Sequence, residues 1–118
     1  MAITIYHNPR CSKSRKTLEI IHDSGIEPTI VLYLKDTPRA PEILTIAGKL
    51  GIPVADLLRR GESEFKNASD LPDLGEDAAV AGWIEEHPIV LQRPIVVNDE
   101  SGKAVIGRPP ENVKDLLP

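Results

Sequence analysis

The hydrophobic pattern at the start of the chain predicts a strand, a helix and a second strand. Residues 2–6 alternate in the manner of a strand, which Asn8-Pro9 ends. From Ser12 the apolar spacing becomes helical and stops at Gly25. Residues 29–34 are almost continuously apolar, which predicts a strand in the interior of a sheet. Such a βαβ unit has parallel strands and a right-handed crossover.

The middle of the chain is predicted to be helical, and its end returns to strands. Apolar spacing indicates helical segments at 41–50, 54–58 and 76–86, with a polar, loop-rich stretch at 62–75. Two short apolar runs, 95–97 and 104–106, predict an antiparallel pair, and a last short helix starts near Pro109. The expected fold class is therefore α/β, one domain over 1–118 with a four-stranded mixed sheet (βαβ, then ββα). A helical insertion is expected at about 38–88.

Composition excludes several classes of function. A chain of 118 residues fits one domain, and 3% aromatic residues with a net charge of -4 argue against nucleic-acid binding. No apolar run approaches the ~20 residues of a membrane span, and no signal-peptide pattern opens the chain, so we expect a cytoplasmic protein without membrane contact. The single cysteine excludes an internal disulfide and a multi-thiolate zinc site.

That cysteine, Cys11, lies between the first strand and the following helix, at or beside the helix N-terminus. Unpaired N–H groups and the helix dipole favour a thiolate at such a position. Three basic residues are close to it in sequence: Arg10, Lys13 and Arg15. Ser14 is about one helical turn further on, within reach of the sulfur, and His7 precedes the loop. We therefore predict that Cys11 is a reactive nucleophile and not a buried small hydrophobe.

Arginines elsewhere in the chain predict an oxyanion site. Arg59 or Arg60 ends a helical segment. Arg93 precedes Pro94 at the start of the third strand, and Arg108 follows the fourth. The planar guanidinium forms paired hydrogen bonds with phosphate-like anions, which helix N-termini also bind. We further predict that the Arg93–Pro94 peptide bond is cis and faces the cysteine loop, since X–Pro is the only common place for a cis bond.

Several separated motifs follow one another along the chain. They are Ile5-Tyr6-His7-Asn8-Pro9-x-Cys11 with Ser14-Arg15, then Leu57-Leu58-Arg59, His87-Pro88-Ile89, Gln92-Arg93-Pro94-Ile95-Val96-Val97 and Gly107-Arg108-Pro109. Together they resemble the glutaredoxin-linked arsenate reductase (ArsC) family, and the resemblance covers essentially the whole chain. Ser12-Lys13 stands where Gly-Thr is usual in the best-characterised members. In this respect the chain resembles a shorter branch of the family that has Cys-Ser-Lys-Ser.

The resemblance implies a thioredoxin-like fold with a helical insertion, and a cysteine that attacks arsenate. The residues carried over by motif are the nucleophile Cys11, the histidine His7 that tunes it, the serine Ser14 that contacts its sulfur, the oxyanion-binding Arg59, Arg93 and Arg108, and the cis-proline Pro94. No bound cofactor or metal is implied. Glutathione and then glutaredoxin act as external reductants, and arsenite is released.

Three other interpretations are weighed against this one. The regulator family called Spx shares the fold and binds RNA polymerase, but its redox switch usually needs Cys-x-x-Cys, and Ser14 occupies the second position here. A general glutathione-dependent enzyme would use Cys11 for thiol exchange with glutathionylated proteins. A low-molecular-weight phosphatase requires an arginine six residues after the cysteine, where this chain has Thr17.

Overall fold

The apolar segments assigned to strands form one four-stranded sheet in the computed structural model, which describes residues 2–117. The strands are β1 (Ile3–His7), β2 (Thr29–Leu32), β3 (Ile95–Asn98) and β4 (Lys103–Ile106). The helices are α1 (Ser12–Asp23), α2 (Ala40–Leu50), α3 (Ser63–Lys66) and α4 (Asp77–Glu86). Short 3-10 helices cover Val54–Leu57, Pro88–Val90 and Pro110–Leu116. The βαβ–helices–ββα order predicted from the sequence is confirmed.

The chain divides into two units. The sheet unit comprises the residues up to Asp36 and those from Arg93 onward, and the helical unit is Thr37–Gln92. The helical unit corresponds to the insertion expected at about 38–88, and the single-domain interpretation over 1–118 stays a prediction. The two ends of that expected range, Met1 and Pro118, lie outside the described residues.

Strand order in the sheet unit is β2-β1-β3-β4. β1 runs parallel to β2 and antiparallel to β3, and β3 runs antiparallel to β4. The mixed sheet and the parallel βαβ unit are therefore confirmed. This order brings the carboxyl ends of β1, β2 and β4 to the same end of the sheet as the amino end of β3.

The prediction that residues 29–34 form an interior strand was wrong. β2 lies at the edge of the sheet and ends at Leu32, and residues 33–35 form a turn. Ile30 is 44% exposed and Leu34 is 41% exposed. The physical reason is that β3, which enters only after the helical unit, pairs with the free side of β1, so β1 and β3 become the central strands.

The sheet unit packs β1 and β3 against α1 and the last 3-10 helix. The buried cluster consists of Ile3, Ile5, Ile21, Val96, Val113 and Leu116. Burying each such side chain contributes roughly 1.5–3 kcal/mol relative to exposure. The predicted last helix near Pro109 is present as the 3-10 helix Pro110–Leu116, and it buries Val113 and Leu116 as its apolar spacing requires.

The helical unit has a core of its own between α2 and α4, to which Ile43, Ile46, Val80 and Ile84 contribute buried side chains. α2 ends at Gly51, whose φ of 71° lies in the left-handed region that favours glycine. The stretch predicted as polar and loop-rich contains the short helix α3. None of the helices within residues 2–117 is long and apolar enough to cross a membrane.

Candidate active site

Sheet register determines which residues meet at the carboxyl end of β1. Tyr6 pairs with Ile95 in the antiparallel β1–β3 ladder, and Ile95 pairs with Ile106 in the β3–β4 ladder. Continuing both ladders places Arg93 and Arg108 opposite each other, beside the loop that leaves β1. The topology therefore brings two of the predicted arginines to the predicted nucleophile.

Asn8 shapes the loop between β1 and α1. Its side-chain oxygen accepts the N–H of Arg10 at 3.0 Å, and its main-chain oxygen accepts the N–H of Cys11 at 3.0 Å. Cys11 then caps α1 with extended dihedrals, φ -92° and ψ 121°, and its carbonyl accepts the N–H of Arg15 at 3.0 Å. Cys11 is half-buried at the N-cap of a 12-residue helix, as predicted.

The environment of the Cys11 sulfur favours the thiolate. Burial acts to raise the pKa of Cys11. Interactions that lower the pKa come from the main-chain N–H groups of Ser14 and Lys13 and from the side chains of Arg93 and Arg108. The lowering interactions prevail, so the pKa of Cys11 lies below that of an ordinary thiol. Because the thiolate is the reactive species, the lowered pKa increases the fraction of Cys11 that can act as a nucleophile.

Arg108 is held in place by several contacts. One guanidinium nitrogen, Nη1, lies 3.8 Å from Cys11 Sγ and also donates to the carbonyl of Arg93 at 3.1 Å. Asn112 Nδ2 donates to the Arg108 carbonyl at 3.2 Å. Arg93 itself is only 9% exposed, and its side chain also hydrogen-bonds the sulfur. The two guanidinium groups therefore both contact the sulfur, one from the residue before Pro94 and β3 and the other from the segment after β4.

His7 and Ser14 form a buried pair behind the nucleophile. His7 Nδ1 lies 2.7 Å from Ser14 Oγ, which also accepts the N–H of Asn8 at 3.0 Å. Burial lowers the pKa of His7, and the positive charge of Arg15 lowers it further, which favours the neutral imidazole. Ser14 acts on the sulfur through its main-chain N–H, whereas its hydroxyl binds His7 and the loop. This contact connects His7 to the residue whose N–H acts on the sulfur, and the tuning of Cys11 by His7 stays a prediction.

Arg59 lies in the helical unit, apart from the residues described so far. Its Nε lies 3.3 Å from Glu62 Oε1, and its Nη1 donates to Gln92 Oε1 at 3.5 Å. Arg60, the alternative candidate, is exposed. Of this pair, Arg59 is the one with an ordered polar environment. Its role as an oxyanion ligand stays a prediction.

The Arg93–Pro94 peptide bond is cis, as predicted, and a second cis bond joins Arg108 to Pro109. The second cis bond was not predicted, although it again follows an arginine in an Arg-Pro pair. Asn112 was not predicted either: its side chain donates to the carbonyls of Ile106 and Arg108, and no sequence pattern indicates this. Within residues 2–117, no group of three or more His, Cys, Asp or Glu side chains is arranged to hold a metal ion.

Comparison with known proteins agrees with this geometry. A model of the ArsC family matches residues 6–116. The chain is 43% identical over 116 residues to an arsenate reductase from Escherichia coli, which covers 98% of this chain and 81% of the relative. It is 42% identical over 118 residues to an arsenate reductase from Haemophilus influenzae, covering 99% and 100%.

Solved structures give the same answer for the fold. The structure of an arsenate reductase from Vibrio cholerae superposes with a TM-score of 0.86 at 39% identity, covering 99% of this chain and 98% of that one. The fold is thus the thioredoxin-like α/β fold that the sequence motifs imply. A family model that spans nearly the whole chain, together with full-length relatives near 40% identity, identifies its membership. The chain belongs to the ArsC family.

Proposed function

We propose that this protein reduces arsenate to arsenite, with Cys11 as the nucleophile. The observation that carries the proposal is the convergence of Arg93 and Arg108 on the Cys11 sulfur at the start of α1. The same groups that stabilise a thiolate suit a tetrahedral oxyanion, because both present concentrated negative charge to N–H donors. The relatives named arsenate reductase support the choice of arsenate among such anions.

Substrate binding relies on charge-assisted hydrogen bonds. Arg93 and Arg108 bind arsenate oxygens, and the first N–H groups of α1 add donors next to the sulfur. Arsenate then partly replaces the sulfur as the partner of the two guanidinium groups. These donors are in place before the reaction begins, so they stabilise the charge that develops on oxygen as sulfur attacks.

The chemical sequence balances with an external thiol. The Cys11 thiolate attacks arsenic, an S–As bond forms, and one arsenate oxygen leaves as water after protonation. A second thiol then attacks the Cys11 sulfur. An S–S bond forms while the S–As bond breaks, and the electron pair of that bond stays on arsenic. Arsenic gains two electrons and leaves as arsenite, and each sulfur loses one.

The second thiol comes from outside the chain, since Cys11 is its only cysteine. We propose glutathione for this step, followed by glutaredoxin, which takes the glutathionyl group from Cys11 and restores the thiol. The reaction needs no bound cofactor or metal, and the reducing cytoplasm supplies these thiols.

Arg59 is proposed as a third arsenate ligand on the strength of the family resemblance. Within the helical unit, Glu62 and Gln92 orient its guanidinium. The carboxylate of Glu62 neutralises part of the Arg59 charge, so arsenate binding at Arg59 competes with that pair.

The decisive experiment is arsenate-dependent NADPH oxidation with glutathione, glutaredoxin and glutathione reductase supplied. We expect turnover that saturates in arsenate for the wild-type protein. The Cys11→Ser variant should lose turnover entirely while keeping its circular dichroism spectrum and melting temperature, because a half-buried thiol is replaced by a hydroxyl of similar size. Turnover retained in Cys11→Ser would remove Cys11 from the mechanism.

Absence of turnover, with Cys11 still alkylated readily near neutral pH, would contradict the arsenate assignment alone. Arsenate-independent deglutathionylation of a model mixed disulfide would then assign Cys11 to general thiol exchange. Specific binding to purified RNA polymerase without either activity would assign the chain to a regulator of the Spx type.

A further inference from the structure

A groove borders the nucleophile loop on its β2 side. It has a volume of about 410 Å³ and lies wholly within the sheet unit. One wall is the loop itself, His7 to Arg10, and the other is formed by Leu32, Leu34 and Lys35 at the end of β2. The lining is predominantly apolar, with Arg10 and Lys35 as its positively charged members. Cys11 directly follows Arg10 in the chain, so the loop that forms this wall ends at the residue before the nucleophile.

A hydrogen bond connects the two segments that form the walls of the groove. Asn8 Nδ2 donates to the hydroxyl of Tyr33 at 3.4 Å, and both residues are buried. This contact joins the loop after β1 to the turn after β2. Leu34, in the same turn, remains 41% exposed. The groove is therefore preformed, with an apolar side chain left in contact with water at its rim.

The charges of the groove are available to a ligand. Arg10 and Lys35 are both exposed, and neither forms an ion pair with another residue in the described range 2–117. Residues 7–18 carry four basic side chains and no acidic one, although the whole chain has a net charge of -4. A positive, apolar-floored groove beside a thiolate selects a small anion that has an apolar body.

We propose that this groove binds glutathione, so that its thiol approaches the Cys11 sulfur from the β2 side. Glutathione has two carboxylates and one ammonium, an extended peptide body and one thiol, which complement two cations, an apolar floor and an adjacent nucleophile. A volume of about 410 Å³ is within the usual range for small-ligand pockets. The inference rests on the proposed function and adds the site and the charges that recognise the reductant.

The groove also gives the second thiol a defined route. Arg93 and Arg108 contact the sulfur from the ends of β3 and β4, whereas the groove lies beside β2, on the other side of β1. Arsenate and glutathione therefore occupy different sides of Cys11. The glutathione thiolate attacks Cys11 Sγ, an S–S bond forms, the S–As bond breaks, and its electron pair leaves with arsenite.

The test uses no arsenate. The Cys11 thiolate is reacted with glutathione disulfide, which forms the Cys11–glutathione mixed disulfide and releases one glutathione thiolate. The same thiolate is reacted with the neutral 2-hydroxyethyl disulfide, and the ratio of the two rate constants is taken. We expect Lys35→Glu to lower this ratio about fivefold, the usual scale for an exposed charge contact. The ratio cancels any change in the intrinsic reactivity of the sulfur.

Lys103→Glu is the matched control. Lys103 is also exposed in the sheet unit, but it pairs with Asn98 at the opposite end of the sheet from the nucleophile. It carries the same change of charge and should leave the ratio unaltered. An unchanged ratio in Lys35→Glu, or an equal fall in both variants, would overturn the groove as a glutathione site.

The arsenate assay separates this inference from the proposed function. Lys35→Glu should raise the KM for glutathione about fivefold and leave the KM for arsenate unchanged. A wild-type KM for glutathione in that variant, with normal arsenate turnover, would overturn the groove alone. If Lys35→Glu lowers the ratio of the two disulfide rate constants but the wild-type protein shows no arsenate turnover, the groove remains a glutathione site and arsenate is not the substrate.

Discussion

Arg108 of the sheet unit and Arg59 of the helical unit have different kinds of partner. In the sheet unit, Arg108 donates to a carbonyl and to the Cys11 sulfur. In the helical unit, Arg59 lies 3.3 Å from Glu62. The first arrangement leaves positive charge for an anion, and the second neutralises it locally. Arg108 therefore keeps its charge for an anion, whereas any anion that binds Arg59 competes with Glu62.

Replacing one arginine from each unit gives the largest expected effect. Arg108→Ala should lower kcat/KM for arsenate about 100-fold, since it removes a donor aimed at developing negative charge. It should also raise the pKa of Cys11, because that guanidinium hydrogen-bonds the sulfur. Arg59→Ala should raise the KM for arsenate about tenfold, the loss of one charge-assisted hydrogen bond. Steady-state kinetics and the pH profile of Cys11 alkylation by iodoacetamide provide the two measurements.

The pH profile of Cys11 alkylation tests whether Arg108 and Arg59 have separate roles. A shift to higher pH in Arg108→Ala, with no shift in Arg59→Ala, supports separate roles for the two units. Equal shifts in both variants would mean that Arg59 also stabilises the thiolate, and the contrast between the units would fail. Arg108→Lys, which keeps the charge but loses the planar fork, should restore the profile more fully than it restores kcat/KM.

Sequence patterns predicted the strands and helices of the sheet unit better than they predicted which strands pair with one another. The alternation in β1 and the helical pattern after Cys11 correctly predicted that this cysteine lies at the N-terminus of α1. The apolar run of β2 was misleading, because an edge strand and an interior strand can share one composition. Edge position depends on β3, which pairs with β1 from far along the chain. Local patterns carry no information on such a pairing.

The candidate site shows the same limit. The arginines of the site could be nominated from the sequence, since the charge that suits them to an oxyanion follows from residue type alone. Asn112 was not predictable, because it has a supporting role and binds no ligand. Its side-chain amide donates hydrogen bonds to the carbonyls of Ile106 and Arg108. Thr17 is similar, a buried helix residue whose hydroxyl donates to the Lys13 carbonyl at 2.8 Å. Supporting residues of this kind become visible only in the folded chain.

A glycine from each unit tests how tightly each is packed. A Cβ on Gly107 would lie 2.5 Å from Thr17 Oγ1 and 2.7 Å from Pro94 Cγ, neither of which belongs to a flexible side chain. Gly107→Ala should therefore destabilise the protein by about 1–3 kcal/mol. Gly48, in α2, has no heavy atom within 4 Å of the equivalent position. Gly48→Ala should stabilise by about 0.5–1 kcal/mol through helix propensity.

Urea unfolding at pH 7 measures both glycine variants. Gly107→Ala should also slow Cys11 alkylation, since Pro94 follows Arg93 directly and any displacement of the ring moves the guanidinium. Gly48→Ala should leave alkylation unchanged. A Gly107→Ala protein with wild-type stability and normal alkylation would contradict this prediction. It would mean that the sheet unit accommodates a methyl group at Gly107 as easily as α2 accommodates one at Gly48.

The smallest effect we expect is a pH dependence of stability due to His7. Its pKa is lowered by burial and by Arg15, so below about pH 6.5 the unfolded chain binds a proton that the folded chain resists. Stability is therefore complete above that pH and falls as the pH decreases toward the lowered pKa, by at most ~1.4 kcal/mol per pH unit for one group. His7→Gln should reduce this slope, measured by urea unfolding between pH 7.5 and 5.5. His22→Gln, which removes an exposed histidine from the same unit, is the matched control. A slope in His7→Gln equal to that of the wild type would show that His7 takes up its proton inside the fold, and that the buried pair with Ser14 accommodates the charge.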